Sequence, residues 1–191
     1  MSMAASRPVF EPALIVVMGV SGCGKTRIGV EIAERLGLPF IEGDTLHPPG
    51  NVEKMSAGIP LADDDRWPWL DLVGAALRQA NEEGRGLVVS CSALKESYRD
   101  RLRHAVGGSA VFIFLEGSRA LLQARLAERG GHFFPPALLD SQFAALENPD
   151  GEKLVVTVDI NAPVYSIVDA ALEGLGTLSV APAAGTKREA R

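Results

Sequence analysis

Gly19-Val20-Ser21-Gly22-Cys23-Gly24-Lys25-Thr26 follows directly on an apolar run, Ala13-Leu14-Ile15-Val16-Val17-Met18. The octapeptide fits G-x-x-x-x-G-K-[ST], a loop whose backbone N–H groups turn inward onto phosphate oxygens. The run before it reads as a buried strand, and the segment after it as a helix with Ile28, Ile32 and Leu36 on one face. That placement suits a phosphate loop, because the helix adds the positive end of its dipole. Gly19, Val20, Ser21, Gly22, Cys23 and Gly24 are therefore expected to cradle the phosphates of a nucleotide. Lys25 would reach the β- and γ-phosphates, and the Thr26 hydroxyl would ligate Mg²⁺.

Outward from this loop, short apolar runs alternate with helical patterns. Leu38–Ile41, Gly86–Cys91, Ala110–Leu115 and Leu154–Val158 read as further strands. Helices are expected from about Trp69 to Ala80, Lys95 to Ala105, 118 to 129, Pro136 to Leu146, and beyond Pro163. Continuous apolar strands separated by helices predict a parallel sheet covered on both faces. The fold class expected is a three-layer α/β/α domain of the P-loop NTPase type, with five parallel strands, over residues 13–178. Two excursions interrupt it. One covers about 44–65, or 44–82 with the helix that follows, and could bind the acceptor; the other, at about 128–140, could act as a lid. Residues 1–12 and 179–191 are rich in small residues with Pro or charge and read as loose tails.

The chain has 191 residues, 47% of them hydrophobic and 23% charged, with net charge −5 and two cysteines. The acidic balance gives no electrostatic support for nucleic-acid or anionic-membrane binding. No apolar run approaches the ~20 residues that span a bilayer. Cys23 and Cys91 match no metal or CxxC spacing, which suits a reducing cytoplasm. A cytoplasmic protein with no membrane partner is expected.

The loop alone leaves several nucleotide-using classes open. No NKxD-type guanine reader is present, and no LSGGQ-like element of a transporter ATPase. Asp71-Leu72-Val73-Gly74 is formally DxxG, but it falls inside an amphipathic helix, with Leu72 and Val73 expected to face the core. The second strand ends in Glu42-Gly43-Asp44, and ligands of open parallel sheets bind beyond such carboxyl ends. Glu42 could hold a Mg²⁺-bound water, and Asp44 could orient an attacking hydroxyl. A helix cap is the alternative for Asp44.

Gly43-Asp44-Thr45-Leu46-His47-Pro48, Asn51-Val52-Glu53-Lys54-Met55, Gly58-Ile59-Pro60-Leu61 and Asp63-Asp64-Asp65-Arg66-Trp67-Pro68-Trp69-Leu70 resemble the gluconokinase family. So do Cys91-Ser92-Ala93-Leu94-Lys95 with Tyr98-Arg99-Asp100, and Gly131-His132-Phe133-Phe134 with Ser141-Gln142-Phe143. These motifs span most of residues 14–150 in order. The resemblance implies a small kinase, related in architecture to shikimate kinase, that moves the ATP γ-phosphate to the 6-hydroxyl of D-gluconate. The 6-phosphogluconate would feed sugar-acid catabolism and the pentose phosphate pathway. A kinase for another small hydroxy acid is the alternative, and a non-catalytic ATP-sensing module a more distant one. Dimers are common in the resembled family, but no interface is legible in the sequence.

A polyol acid needs a cation for its carboxylate and hydrogen-bonding groups for its hydroxyls. Arg66 is favoured for the carboxylate, because a guanidinium binds it bidentately, and Lys54 comes second. An ion pair with Asp63–Asp65 is the alternative for Arg66. His47, beside two prolines, either meets substrate or pins its loop. Arg125 and Arg129 stand i, i+4 before Gly130-Gly131 and His132. The resemblance implies lid arginines that neutralise the moving phosphoryl group and cover adenine, and a solvated arginine pair is the alternative. Gln142 could reach a sugar hydroxyl. Lys95, Arg99 and Arg103 form a basic stripe that reads first as a solvated face, with Lys95 and Arg99 starting near the end of the third strand. Asn161 could pass the adenine edge or cap the last helix. In the resembled family the position of Cys23 is commonly Ser, and that of Glu42 often Asp. A thiol beside Lys25 and a helix N-terminus is expected to ionise readily, so that its oxidation would block ATP.

Overall fold

Each apolar run becomes a strand of one parallel sheet because the helical segment after it is long enough to carry the chain back to the starting edge. The computed structural model describes residues 13–128 and 136–178. Five strands, β1 (Leu14–Met18), β2 (Phe40–Glu42), β3 (Leu87–Ser90), β4 (Val111–Glu116) and β5 (Val155–Asp159), lie in the order β2-β3-β1-β4-β5. All pairs are parallel, and Val16 of the central strand sits opposite Val89 on one side and Phe112 on the other. This is the expected P-loop α/β/α class.

Side chains of β1 alternate between two cores, as the two-residue strand period requires. Ile15 and Val17 pack with Ile28 and Ile32 of α1 (Lys25–Leu36) and Ile167 and Val168 of α7 (Val164–Thr177). Leu122 of α5 (Arg119–Glu128) and Leu139 of α6 (Pro136–Ala145) join that face. Leu14, Val16 and Met18 pack on the other face with Trp69, Val73 and Leu77 of α3 (Asp63–Glu82) and Tyr98 and Leu102 of α4 (Glu96–Ala105). All five β1 residues are buried, so the strand is hydrophobic without alternation.

Three local features differ from the sequence reading. The polar 43–65 stretch contains a 3₁₀ turn, Gly43–Leu46, and a helix, α2 (Pro49–Ser56). Val52 and Met55 of α2 line a cleft instead of the core, so no core-facing period announced it. Helix α3 begins at Asp63, six residues before its buried stripe, and carries Pro68 within it. Leu72 is 47% exposed whereas Val73 is fully buried, so only the second of that pair faces the core. The expected tails 1–12 and 179–191, and residues 129–135 of the expected lid, lie outside the described residues.

Candidate active site

The phosphate loop leaves β1 at its carboxyl end, and its curl depends on Gly19, Gly22 and Gly24, with φ of 139°, 86° and 98°. A Cβ on Gly19 would lie 2.9 Å from both Cys23 Sγ and the Leu115 carbonyl oxygen, so glycine is also needed for space. Leu126 of α5 packs behind Gly22. No side chain caps the first turn of α1, which leaves its amide donors free for an anion. Lys25 Nζ rests 3.3 Å from the Val20 carbonyl oxygen.

Cys23 does not behave as expected. Its side chain is buried, at 1% exposure, filling the space that Gly19 lacks a side chain to occupy. Burial pushes the thiol above its ordinary pKa, outweighing the downward pull of nearby Lys25 and the loop N–H groups. The expectation of a reactive thiolate is therefore corrected: the charged form cannot be solvated there.

Next to the loop, Glu42 ends β2 and joins three elements. Its carboxylate accepts from the Thr26 hydroxyl and from the Ser90 hydroxyl at the end of β3. Ser90 Oγ in turn accepts from Gly43 N–H at 3.0 Å. Gly43 has to be glycine, since a Cβ there would fall 1.9 Å from the Ser90 carbonyl oxygen. Among the described residues no group of three or more His, Cys, Asp or Glu could hold a resident metal. A nucleotide-borne Mg²⁺ asks for less, because phosphates and waters supply most of its oxygens. The adjacent Thr26 hydroxyl and Glu42 carboxylate are hard oxygen donors of the right kind.

Asp44 follows in the 3₁₀ turn and caps no helix: Glu42 caps that turn, and α2 starts behind Pro48. Its carboxylate lines a cleft of about 430 Å³ together with Lys25, His47, Arg66, Ser92 and Gln142. Val52, Met55, Ile59 and Leu61 form its apolar wall. His47 both faces this cleft and pins the loop. Its ring stacks on Trp69 at 4.1 Å and 15°, while Trp69 Nε1–H donates to the Gly43 carbonyl at 2.8 Å. Asn51 Nδ2 reaches His47 Nδ1 at 3.1 Å and the Asp65 carbonyl at 2.7 Å. Burial pulls the His47 pKa below its ordinary value, against the upward effect of Asp44. The ring is therefore neutral near pH 7.

The basic residues separate clearly. Arg66 lines the cleft and has no ion pair among the described residues. Lys54 is bound to Asp65 at 2.6 Å and Lys95 to Asp63 at 2.7 Å, and neither lines the cleft. Arg99 is fully buried, which removes it from the acceptor site and from any solvated stripe. It donates to Glu152 and to the carbonyls of Ala93, Leu94 and Glu147, clamping α4 to the segment before β5. Burial pushes the Glu152 carboxyl up, but Arg99 and Arg103 together hold it below the usual range.

Gln142 lines the cleft, and its side-chain amide is already engaged there. It makes two hydrogen bonds to Ser21 at the cleft's edge. Arg125 lies on the opposite side of the loop, in a second cavity of about 390 Å³ with Gly22, Gly24, Arg27 and Ala162. Its guanidinium donates to the Ile160 carbonyl at 2.7 Å. Asn161 is exposed beside that cavity, and Pro163, not Asn161, precedes α7 as its cap. Arg129 and His132 lie outside the described residues. Ser90 was missed in the sequence, where a serine ending an apolar run carries no signal of its own.

The arrangement is a phosphate cradle facing a cleft that holds one carboxylate and one guanidinium, suited to moving a phosphoryl group onto an anionic alcohol. A family model described as an AAA domain matches residues 14–149. The chain is 50% identical over 151 residues to a gluconokinase of Gluconobacter oxydans (strain 621H), covering 78% of this chain and 83% of that one. It is 46% identical over 159 residues to the thermosensitive gluconokinase of Escherichia coli (strain K12), covering 81% and 82% respectively. A crystal structure of a gluconokinase from Sinorhizobium meliloti 1021 superposes with a TM-score of 0.81 at 54% identity, over 86% of this chain and 91% of that one.

Proposed function

The chain belongs to the gluconokinase family, and from that premise we propose that it transfers the γ-phosphate of ATP to the 6-hydroxyl of D-gluconate. The products are 6-phospho-D-gluconate and ADP. The observation that carries the reading is the shared cleft of Lys25, Asp44 and Arg66, in which phosphate donor, hydroxyl and carboxylate can meet.

In this reading the loop amides and Lys25 hold the β- and γ-phosphates. Thr26 would hold a nucleotide-borne Mg²⁺ directly and Glu42 through water, and the ion would supply positive charge to the phosphates. Ser90 keeps the Glu42 carboxylate in place. Asp44 accepts the hydrogen bond of the 6-hydroxyl and aims its oxygen at phosphorus. The transition state is loose, so positioning and charge stabilisation supply most of the catalysis. Arg66 takes the gluconate carboxylate bidentately. Arg125 closes the nucleotide side, where the second cavity, beside Asn161, would take the nucleoside. Arg129 and His132 are assigned to the closing segment on the family resemblance alone.

A homodimer and a cytoplasmic location belong to the same proposal. Among the described residues no helix is long and apolar enough to cross a membrane. Sedimentation at micromolar concentration checks the dimer. A coupled ADP-release assay over gluconate, other aldonic acids, shikimate and nucleoside monophosphates tests the acceptor. Gluconate is expected to stimulate release far above the rest, and equal or absent stimulation contradicts the assignment.

A further inference from the structure

Asp63 and Arg66 stand i and i+3 in the first turns of α3, a spacing at which opposite charges on a helix meet. Asp100 and Arg103 have the same spacing and order on α4, and they are joined at 2.9 Å. Asp63 and Arg66 are not joined. Both Asp63 oxygens are instead held by Lys95 Nζ, at 2.7 and 2.8 Å, and one also accepts from the Tyr98 hydroxyl. Lys95 Nζ and the Arg66 guanidinium carbon lie 5.6 and 5.9 Å from the centroid of the Tyr98 ring, so two cations flank a single aromatic group. Asp65, two residues further along the helix, is occupied by Lys54 and by the Ala62 N–H.

We propose that Lys95, with the Tyr98 hydroxyl, is a positioning residue that holds Asp63 away from Arg66 and so keeps the guanidinium open to the acceptor's carboxylate. The inference rests on the reading of Arg66 as the gluconate anchor. Lys95 comes from the turn after β3 and Asp63 from the start of α3, so the pair also fixes the angle at which α3 presents Arg66. The carboxyl of Asp63 is held below the usual range chiefly by the Lys95 hydrogen bond, with Tyr98 second, so Asp63 stays ionised throughout the neutral range. Without Lys95, an ionised Asp63 one helical turn from Arg66 would compete with gluconate for the same donors.

The test is a set of steady-state measurements on Lys95→Met, Lys95→Met/Asp63→Asn and Lys95→Met/Asp64→Asn, each variant first checked by its melting temperature. Lys95→Met is expected to raise the gluconate KM by about ten-fold, a loss of about 1.4 kcal/mol of acceptor binding, with the ATP KM unchanged. Adding Asp63→Asn removes the competitor and should return the gluconate KM to within about two-fold of wild type. Adding Asp64→Asn restores the same net charge but leaves Asp63 in place, so the KM should stay high. Recovery in both double variants would mean a general field effect, and recovery in neither would mean that Lys95 touches gluconate itself. Either result, or an unchanged KM in Lys95→Met, overturns the proposal. If Lys95→Met does not fold, Tyr98→Phe with and without Asp63→Asn carries the same comparison. A wild-type enzyme with no gluconate-dependent ADP release would instead sink the functional reading beneath it.

Discussion

The side-chain amide of Gln142 forms a reciprocal pair of hydrogen bonds with Ser21: its Oε1 accepts from Ser21 N–H at 2.6 Å, and its Nε2 donates to Ser21 Oγ at 2.9 Å. Helix α6 is thereby tied to the phosphate loop at the border between the loop and the acceptor cleft. A carboxylate at this position would lose the donated bond and set a negative charge against the phosphates. Gln142→Glu is expected to weaken ATP binding by about ten-fold, and Gln142→Ala by less, because charge repulsion adds to the lost bond only in the first. Calorimetric titration with ATP measures both, and equal affinities would dissociate the amide from the nucleotide site.

Asp44 lies in the cleft with no capping role to perform. Asp44→Asn keeps the shape but removes the charge that orients and accepts from the hydroxyl. Its kcat is expected to fall by about 10²–10⁴ while the ATP KM stays within about two-fold. A wild-type kcat would remove Asp44 from the mechanism.

Arg99 is a structural clamp, so its loss should show in stability. Arg99→Ala leaves Glu152 only half paired and three carbonyls without their donor. Unfolding in denaturant should become easier by about 3–5 kcal/mol, the usual cost of breaking a buried pair from one side. An unchanged unfolding midpoint combined with lost activity would return Arg99 to the substrate site.

Burial pushes the Cys91 thiol from its ordinary value of 9.0 up to about 12. Below pH 9 the thiol is protonated in both folded and unfolded chains, and its contribution to stability is complete. Between pH 9 and 12 only the unfolded chain releases the proton, so stability falls as pH rises, by up to about 1.4 kcal/mol per pH unit. Burial raises Tyr98 as well, which steepens the same alkaline loss. Unfolding midpoints measured at pH 8, 9 and 10 should fall more steeply in wild type than in Cys91→Ala. Parallel slopes would contradict the assignment.

Features written in consecutive residues were legible beforehand. The strand–loop–helix around Lys25 and the strand-end placement of Glu42 and Asp44 follow from local pattern, and of Arg66 and Lys54 it is Arg66, favoured on ligand chemistry, that lines the cleft. Pairings between distant segments were not. Gln142 and Ser21 are 121 residues apart, and Arg99 and Glu152 are 53 apart, with nothing local to mark either partnership. Lys95, Arg99 and Arg103 share one helical spacing yet have three different environments, because spacing reports a shared face and not what covers it. Cys23 failed as an expectation for a related reason. Its charged neighbours are visible in the sequence, whereas the burial that outweighs them depends on Gly19 and on the strand beside it.

Phosphoryl transfer to gluconate is tested most directly by the position of the new ester. Enzyme, Mg·ATP and ¹³C-labelled D-gluconate should yield ADP and phosphogluconate in equal amounts, with phosphorus–carbon coupling at C6 and C5 alone in the NMR spectrum. ATP consumed without a phosphoester, or an ester at any other carbon, would contradict a cleft in which Asp44 aims the 6-hydroxyl while Arg66 holds the carboxylate.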